Sequence, residues 1–208
     1  MEKLDIVYNL SFDDILNGEE NSIIFFDAVN KEKSLKKIED FANKEEKKIC
    51  CFTGNRPSNL PWKYNESCEF CKTFKENLRG VLEVLISYGF NYFISGMAMG
   101  VDIIAAEIVL ELKKNYQNVK LECALPCLTQ TKGWGLDYIK RYENVLKNSD
   151  KIEYVSNVDY FAGCYNKRNQ YMVDKSSVVV AGLFTIGKGT KSTIEYAKKQ
   201  GKRIIILK

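Results

Sequence analysis

The sequence predicts an α/β fold of the Rossmann-like kind, with a mainly parallel open sheet and helices on both faces. From residue 48 onward, short apolar runs rich in valine and isoleucine alternate with amphipathic segments, as in parallel sheets covered on both faces. The 208 residues suffice for one well-buried domain but are short for two. We therefore predict one Rossmann-like domain at residues 48–208. A small N-terminal extension at residues 1–47, made of short strands and a surface helix, precedes it.

The predicted elements follow one another in a regular order. The extension carries strands at residues 4–10 and 22–29, separated by the turn-forming NGEEN, and a helix at residues 31–48. A central helix follows Gly100 and carries Ile104, Ile108 and Leu112 on one face. The strands of the main domain are predicted at residues 48–54, 92–95, 119–126, 151–156, 177–184 and 203–208. Its other helices are predicted at residues 69–88, 135–149, 164–176 and 192–201.

Charge and hydropathy narrow the range of partners. The net charge of +4 arises from 31 basic and 27 acidic residues that are interleaved along the chain, so the sequence disfavours nucleic acid as a partner. No apolar run reaches the ~18 residues that a membrane span requires, and the amino terminus lacks the apolar core of a signal peptide. We therefore expect no membrane partner and a cytoplasmic location.

The residue types present also restrict the chemistry. Histidine, the usual general base near neutral pH, is absent, so any catalysis would rest on carboxylates, thiols, lysine or tyrosine. Seven cysteines, an odd number, lie mostly in apolar runs and are interpreted as reduced thiols. Cys68 and Cys71 form a CxxC pair, but neither a second CxxC nor a histidine is present to complete a zinc site. We predict no metal and no cofactor.

Candidate binding residues follow the strands, because ligands of open parallel sheets bind beyond the carboxyl ends of the strands. The first group is Thr53, Gly54, Asn55 and Arg56. Arg56 offers a planar, always-charged fork that suits phosphate or carboxylate. The alternative is an arginine that pairs with a nearby carboxylate of the protein.

The second group lies in the glycine turn between the central strand and helix, at Ser95, Gly96, Met97, Gly100 and Asp102. Such a turn directs backbone N–H groups and the positive end of the helix dipole at one point, which suits an anion. Many turns of this kind bind nothing, and that alternative stays open. Asp102 either caps the helix or accepts a hydrogen bond from a ribose hydroxyl.

Two further loops complete the predicted cleft. One carries Gln130 and Trp134, and Trp134 either stacks on a nucleobase or covers the edge of the core. The other carries Gly187, Gly189 and Thr190, with Thr190 as the predicted N-cap of the last helix and the glycines as a second anion-binding turn. Two such turns favour a ligand with more than one polar end. A nucleotide therefore fits better than free phosphate.

Several sequence blocks occur in a characteristic order, namely CFTGNRP, LPWKYNE, SGMAMGVDIIAAE, LPC, CYNKRNQYMVD and GKGT. From about residue 50 to 207 the chain resembles the YpsA-like (DUF1273) branch of the SLOG superfamily. That superfamily also contains the DNA-processing protein DprA and the LOG phosphoribohydrolases. The resemblance implies a pocket for a nucleotide-derived ligand formed by the central turn, by Arg168 with Asn169, and by the turn from Gly187 to Thr190. It also implies a homo-oligomer.

The chain departs from the resembled families at two positions. Asn55 stands where the branch usually has histidine, and it cannot exchange a proton near neutral pH. Thr193 stands where the phosphoribohydrolases have their glutamate, and Glu195 lies about 200° further around the helix. Asp102 or Asp174 could substitute for that carboxylate. We assign no catalytic residue, and the sequence favours a binding protein over an enzyme.

Three functions follow from the resemblance. The first is binding of a nucleotide-derived small molecule, related to ADP-ribose or a cyclic nucleotide, by a sensor or sequestering protein. The second is an N-glycosidase or phosphoribohydrolase acting on nucleoside monophosphates. The third is single-stranded DNA binding, as in DprA.

Overall fold

A computed structural model describes residues 22–208. The strands are β1 (Ile23–Phe25), β2 (Ile49–Gly54), β3 (Tyr92–Ser95), β4 (Lys120–Leu125), β5 (Lys151–Tyr154), β6 (Val178–Gly182) and β7 (Arg203–Leu207). The helices are α1 (Lys31–Ala42), α2 (Glu69–Ser87), α3 (Val101–Lys113), α4 (Leu136–Asn148), α5 (Cys164–Lys175) and α6 (Lys188–Lys199), with a 3₁₀ turn at Pro57–Asn59. The strand predicted at residues 4–10 and the turn at 17–21 lie outside the described residues.

The seven strands form one parallel sheet in the order β1-β7-β6-β2-β3-β4-β5. This arrangement confirms the predicted Rossmann-like class. From β2 the chain adds strands towards one edge as far as β5, then returns to the other side of β2 and continues through β6 to β7. The direction of winding therefore reverses between β2 and β6. The loops that leave these two strands diverge at that point and open a crevice.

Helices cover both faces of the sheet. Helices α1 to α4 lie on one face, where Ile104, Ile108 and Leu112 of α3 are buried as their four-residue spacing predicts. Helices α5 and α6 cover the other face through the buried Met172 and Ile194. Burial on both faces explains why the central strands are almost entirely apolar.

The described part of the N-terminal segment extends the same sheet. β1 pairs in parallel with β7, and α1 packs against α2. Ile38 and Phe41 of α1 are buried in the core on that face. The division between residues 1–47 and 48–208 stays a prediction. None of the helices between residues 22 and 208 has the length and apolar character that crossing a bilayer requires.

Candidate functional site

A cavity of about 190 Å³ lies at the crevice between the carboxyl ends of β2 and β6. Its walls come from the loop after β2, the central turn after β3, the first two turns of α5 and the start of α6. The lining residues are Thr53, Gly54, Asn55, Arg56, Asn59, Ala98, Asp102, Tyr165, Asn166, Arg168, Asn169, Gly187, Lys188, Gly189 and Thr190. The structure thus brings together predicted residues from three of the four loops with the predicted residues of α5.

Asn55 connects the loop after β2 with the loop after β6. Its Oδ1 accepts hydrogen bonds from the backbone N–H groups of Phe184 (2.7 Å) and Thr185 (3.1 Å), and its Nδ2 donates to the carbonyl of Thr185 at 2.9 Å. Both functional atoms of this buried amide therefore have partners within the protein. Asn55 sets the distance between the two walls of the cavity, a role that needs one acceptor and one donor but no titrating group.

The central turn is held by side-chain hydrogen bonds from Ser95 and from Gln130 of the loop after β4. Ser95 Oγ donates to the carbonyl of Asp102 at 2.8 Å and accepts from the N–H of Met97 at 3.1 Å. Gln130 Nε2 donates to the carbonyls of Gly96 (3.1 Å) and Met97 (2.9 Å). Because these contacts use Gln130 and Ser95 within the fold, both shape the turn and neither lines the cavity.

Glycine is required at two positions of this turn for different reasons. Gly100 has φ +96°, and a Cβ there would overlap the carbonyl oxygen of Asn55. At Gly96, a Cβ would overlap the guanidinium of Arg168 and lie 2.8 Å from Asp102 Oδ2. Gly96 therefore makes room for a buried ion pair of the protein rather than for a ligand.

That ion pair consists of Arg168 and Asp102, whose Nη1 and Oδ2 atoms are 3.9 Å apart. Arg168 Nη1 also donates to the carbonyl of Gly96, and its Nε donates to Asn169 Oδ1 at 2.8 Å. Asp102 Oδ2 accepts from the N–H of Ala98 at 3.4 Å, and no side-chain bond caps α3. Burial raises the pKa of Asp102 above its ordinary value, although Arg168 opposes the shift. Burial likewise lowers the pKa of Arg168, which nonetheless stays charged at neutral pH.

Arg56 is the second guanidinium of the cavity and is half-buried. It lies over the ring of Tyr165 at 5.5 Å from the ring centroid. Within the described chain it makes no salt bridge to a carboxylate, so the predicted alternative of a local ion pair is not observed. Its donors are therefore available to a ligand.

The loop after β6 differs from the prediction. Helix α6 begins at Lys188, with Gly187 at its N-cap, so Thr190 lies in the first turn and is not the cap. Gly189 is likewise helical rather than part of a glycine turn. The correction follows from the extended backbone of Gly187 (φ −84°, ψ 139°), whose carbonyl already accepts the first helical bond from the N–H of Lys191 at 3.0 Å.

The start of α6 offers unpaired donors to the cavity. Across residues 22–208, no acceptor is bonded to the N–H groups of Lys188, Gly189 or Thr190, the usual condition of the first turn of a helix. Of the described residues that line the cavity, three carry positive charge (Arg56, Arg168, Lys188) and one carries negative charge (Asp102), so the lining has a net charge of 3 − 1 = +2. The site therefore suits an anion.

Trp134 lies apart from this cavity. It lines a different hollow of about 710 Å³ with Tyr64 and Tyr138, and its ring packs edge-on against Tyr142 with centroids 5.6 Å apart. Met99 of the central turn also lines that hollow, so the turn separates the two cavities. The geometry agrees with the interpretation of Trp134 as a residue that covers the edge of the core.

Sequence reasoning assigned no binding role to five lining residues, namely Asn59, Ala98, Tyr165, Asn166 and Lys188. Two of them carried a usable signal. Tyr165 precedes Arg168 by three positions and shares its helical face. Lys188 stands between the two predicted glycines. The others gave no signal, because their position depends on how the loops pack.

Thr193, which stands where the phosphoribohydrolases have their glutamate, supports the fold. Thr193 is buried, its Oγ1 donates to the carbonyl of Gly189 at 2.9 Å, and it accepts from Asn169 Nδ2 at 2.8 Å. Through Asn169 it connects α6 with Arg168 on α5. Glu195 is exposed, lies 3.8 Å from Lys191 and does not line the cavity.

Most of the chain is similar in sequence to a known protein family. A family model described as the YspA SLOG family (YpsA) matches residues 50–203. A UPF0398 protein from Bacillus thuringiensis (strain Al Hakam) is 29% identical over 156 residues, which is 74% of this chain and 84% of the relative. The SPbeta prophage-derived protein YoqJ from Bacillus subtilis (strain 168) is 34% identical over 137 residues, covering 60% of this chain and 80% of YoqJ.

Among solved structures, the chain is similar to DNA processing protein A from Helicobacter pylori, studied for its single-stranded DNA binding mode. The TM-score is 0.53 at 21% identity, with 77% of this chain covered. The match spans 65% of that protein, less than two thirds of its length. At this identity the comparison shows a shared fold. It does not support our expectation that nucleic acid is an unfavourable partner.

Proposed function

Because the chain belongs to the YpsA family of SLOG proteins, we propose that its cleft binds the phosphate end of a nucleotide-derived small molecule. The ligand class that fits is an ADP-ribose or cyclic-nucleotide relative, held by a sensor or sequestering protein. The observation that carries the proposal is the start of α6, where three unpaired N–H groups meet the surplus positive charge of the cavity.

The phosphate position follows from which donors are free. The N–H groups of Met97, Ala98 and Val101 in the central turn already donate to Ser95 Oγ, Asp102 Oδ2 and the carbonyl of Asn55. Within residues 22–208, the first turn of α6 and the guanidinium of Arg56 have no such partners. The N–H groups of Asp102 and Ile103 at the start of α3 also have no acceptor in that range, but the carboxylate of Asp102 would repel a phosphate there. A phosphate is therefore expected between α6 and Arg56, with the central turn as the opposite wall.

The energetics require more than a phosphate contact. A helix terminus contributes up to about 2 kcal/mol, and a hydrogen bond to a charged group contributes about 1.5 to 3 kcal/mol. Micromolar affinity needs about 8 kcal/mol. The rest must come from the nucleoside. The carboxylate of Asp102 lines the cavity, and we expect it to accept a hydrogen bond from a ribose hydroxyl.

The size of the cavity limits how much of the ligand it encloses. Pockets for complete small-molecule ligands usually measure about 300 to 1,000 Å³, and this cavity measures about 190 Å³. It therefore encloses the phosphate and ribose, while the base extends towards the mouth.

The proposal is tested by identifying what the protein retains and what it binds. Mass spectrometry of small molecules released from the purified protein is expected to detect a phosphorylated nucleoside compound. Calorimetry with AMP, ADP-ribose and inorganic phosphate should then give binding of a nucleotide at least tenfold tighter than binding of phosphate. Equal, weak binding of all three would contradict the proposal. Release of free base from nucleoside monophosphates would instead favour the N-glycosidase.

The fold likeness to DNA processing protein A favours a second candidate, binding of single-stranded DNA. Its marker is an affinity for an oligonucleotide that falls steeply with salt, because phosphate contacts release counterions. If the cleft binds DNA, AMP should compete with the oligonucleotide, and substitution of Lys188 should weaken both. Oligonucleotide binding that survives Lys188→Gln unchanged would place any DNA contact outside the cleft.

A further inference from the structure

We propose that the outer edge of β5 joins two copies of this chain by antiparallel strand pairing. No residue of β5 lines the cavity, and the inference stands independently of the proposed function. Among residues 22–208, no strand pairs with the outer side of β5, which ends the sheet beyond β4. An unpaired edge presents a row of backbone donors and acceptors to another strand.

The direction of those backbone groups follows from the pairing with β4. The N–H of Val155 donates to the carbonyl of Leu125 at 2.8 Å, so residues of odd number in β5 direct their backbone groups at β4. By the alternation of a strand, Ile152 and Tyr154 direct theirs outward. In a pair related by a two-fold axis, Ile152 can face Ile152 of the second copy and exchange two hydrogen bonds with it.

The charges of β5 select this register. With Ile152 on the two-fold axis, Lys151 of each copy lies opposite Glu153 of the other, on the face of the sheet covered by α5. A shift that places Glu153 on the axis would bring two carboxylates face to face, which is unfavourable. A lysine alone on an edge strand prevents two such edges from pairing, because the two lysines repel each other. β5 carries a lysine and a glutamate two positions apart, so two antiparallel copies of it bring opposite charges together.

Apolar side chains around the edge would be covered by the second copy. Ile152 is 43% exposed and Tyr154 is 44% exposed. Val158 and Leu128 are also exposed large apolar residues, and the N–H of Leu128 donates to the carbonyl of Val158 at 2.9 Å, which places them side by side. Tyr160 is a fifth exposed side chain, and its N–H donates to Thr129 Oγ1, next to Leu128, at 3.0 Å. Apolar groups that flank a strand edge favour association over solvent exposure.

The test uses charge reversal and sedimentation velocity of the full chain. Wild type is expected to dimerise, and Glu153→Lys alone should raise the dissociation constant about tenfold or more, because two attractive pairs become repulsive. Lys151→Glu alone should have the same effect. An equimolar mixture of the two variants should restore a dimer, since each now complements the other. The double variant Lys151→Glu/Glu153→Lys should also dimerise.

Two controls separate this outcome from damage to the fold. Lys151 Nζ lies 3.6 Å from the buried Glu122, whereas the ion pair of Glu153 is with Lys151, so Glu153→Lys tests the edge without disturbing Glu122. Glu39→Lys reverses a comparable charge in the exposed Lys36–Glu39 pair of α1 and should leave association unchanged. Circular dichroism confirms folding of each variant. A monomeric wild type, or a Glu153→Lys variant that keeps the wild-type dissociation constant, would overturn the proposal.

Discussion

Replacement of Arg56 by glutamine tests the proposed anion site most directly, because this guanidinium lines the cavity and makes few contacts that support the fold. In the described chain its contact is the ring of Tyr165, with no salt bridge. A cation–π contact contributes about 0.5 to 1 kcal/mol at an exposed site and about 2 kcal/mol when it is desolvated. Because Arg56 is half-buried, the free energy of unfolding of Arg56→Gln should fall by about 1 kcal/mol.

The expected loss of affinity is larger. A hydrogen bond to a charged group contributes about 1.5 to 3 kcal/mol. Because Arg56 is half-buried, solvent screening places the effect near the lower end, which corresponds to about a tenfold rise in Kd. The affinity of the variant should also depend less on salt than that of wild type, since one cationic contact is lost.

Isothermal titration calorimetry with AMP and ADP-ribose, at low and at physiological salt, measures both effects. Arg79→Gln serves as the matched control, because Arg79 pairs with Glu111 on the outer surface and lies outside the cavity. It should bind as wild type does. If Arg56→Gln and Arg79→Gln give the same Kd as wild type within twofold, the placement of the phosphate beside Arg56 is wrong.

Three further predictions concern the frame of the cavity. Asn55→Ala should destabilise by about 2 to 4 kcal/mol in urea unfolding, because the N–H groups of Phe184 and Thr185 lose their acceptor; Asn55→Asp keeps the acceptor and should lose less. Gly96→Ala should cost about 1 to 3 kcal/mol by crowding Arg168, whereas Gly189→Ala, where a Cβ meets nothing within 4 Å, should not destabilise. Burial raises the pKa of Asp102 above 3.8, so this residue stabilises the fold at low pH and loses that contribution as pH rises through its folded pKa. The unfolding free energy of Asp102→Asn relative to wild type should therefore increase with pH, and a difference that is flat with pH would contradict this account.

Periodicity determined most of the fold. Apolar runs and helical stripes place β2 to β7 and α2 to α5 close to their observed bounds, because these elements are buried on one or both faces and burial leaves a regular pattern. The start of α6 was misplaced because a glycine can serve as N-cap or as a helical residue, and a short polar segment has no apolar period to decide between them.

The site was determined only in part by the sequence. Arg56 and the loops that line the cavity were predicted because ligands of open parallel sheets bind beyond the carboxyl ends of the strands. Arg168 was predicted from the family resemblance, and it also lines the cavity. The sequence could not distinguish the central turn, where the N–H groups of Met97, Ala98 and Val101 bond within the protein, from the start of α6, where those of Lys188, Gly189 and Thr190 have no acceptor in the described chain. That difference depends on Ser95 and Asn55. Ser95 Oγ accepts from the N–H of Met97, and the carbonyl of Asn55, which follows the neighbouring strand β2, accepts from the N–H of Val101.

The sequence by itself therefore determined the parallel sheet, the two helical layers and the identity of most polar groups around the cleft. Tertiary structure alone decided which of those groups remain available to a ligand: the amide of Asn55 is bonded within the fold, whereas the guanidinium of Arg56 makes no salt bridge in the described chain. The physical reason is that the spacing of apolar residues along the chain shows which face of a helix or strand is buried. Hydrogen-bond satisfaction depends on distances between segments far apart in the chain, which no local pattern encodes.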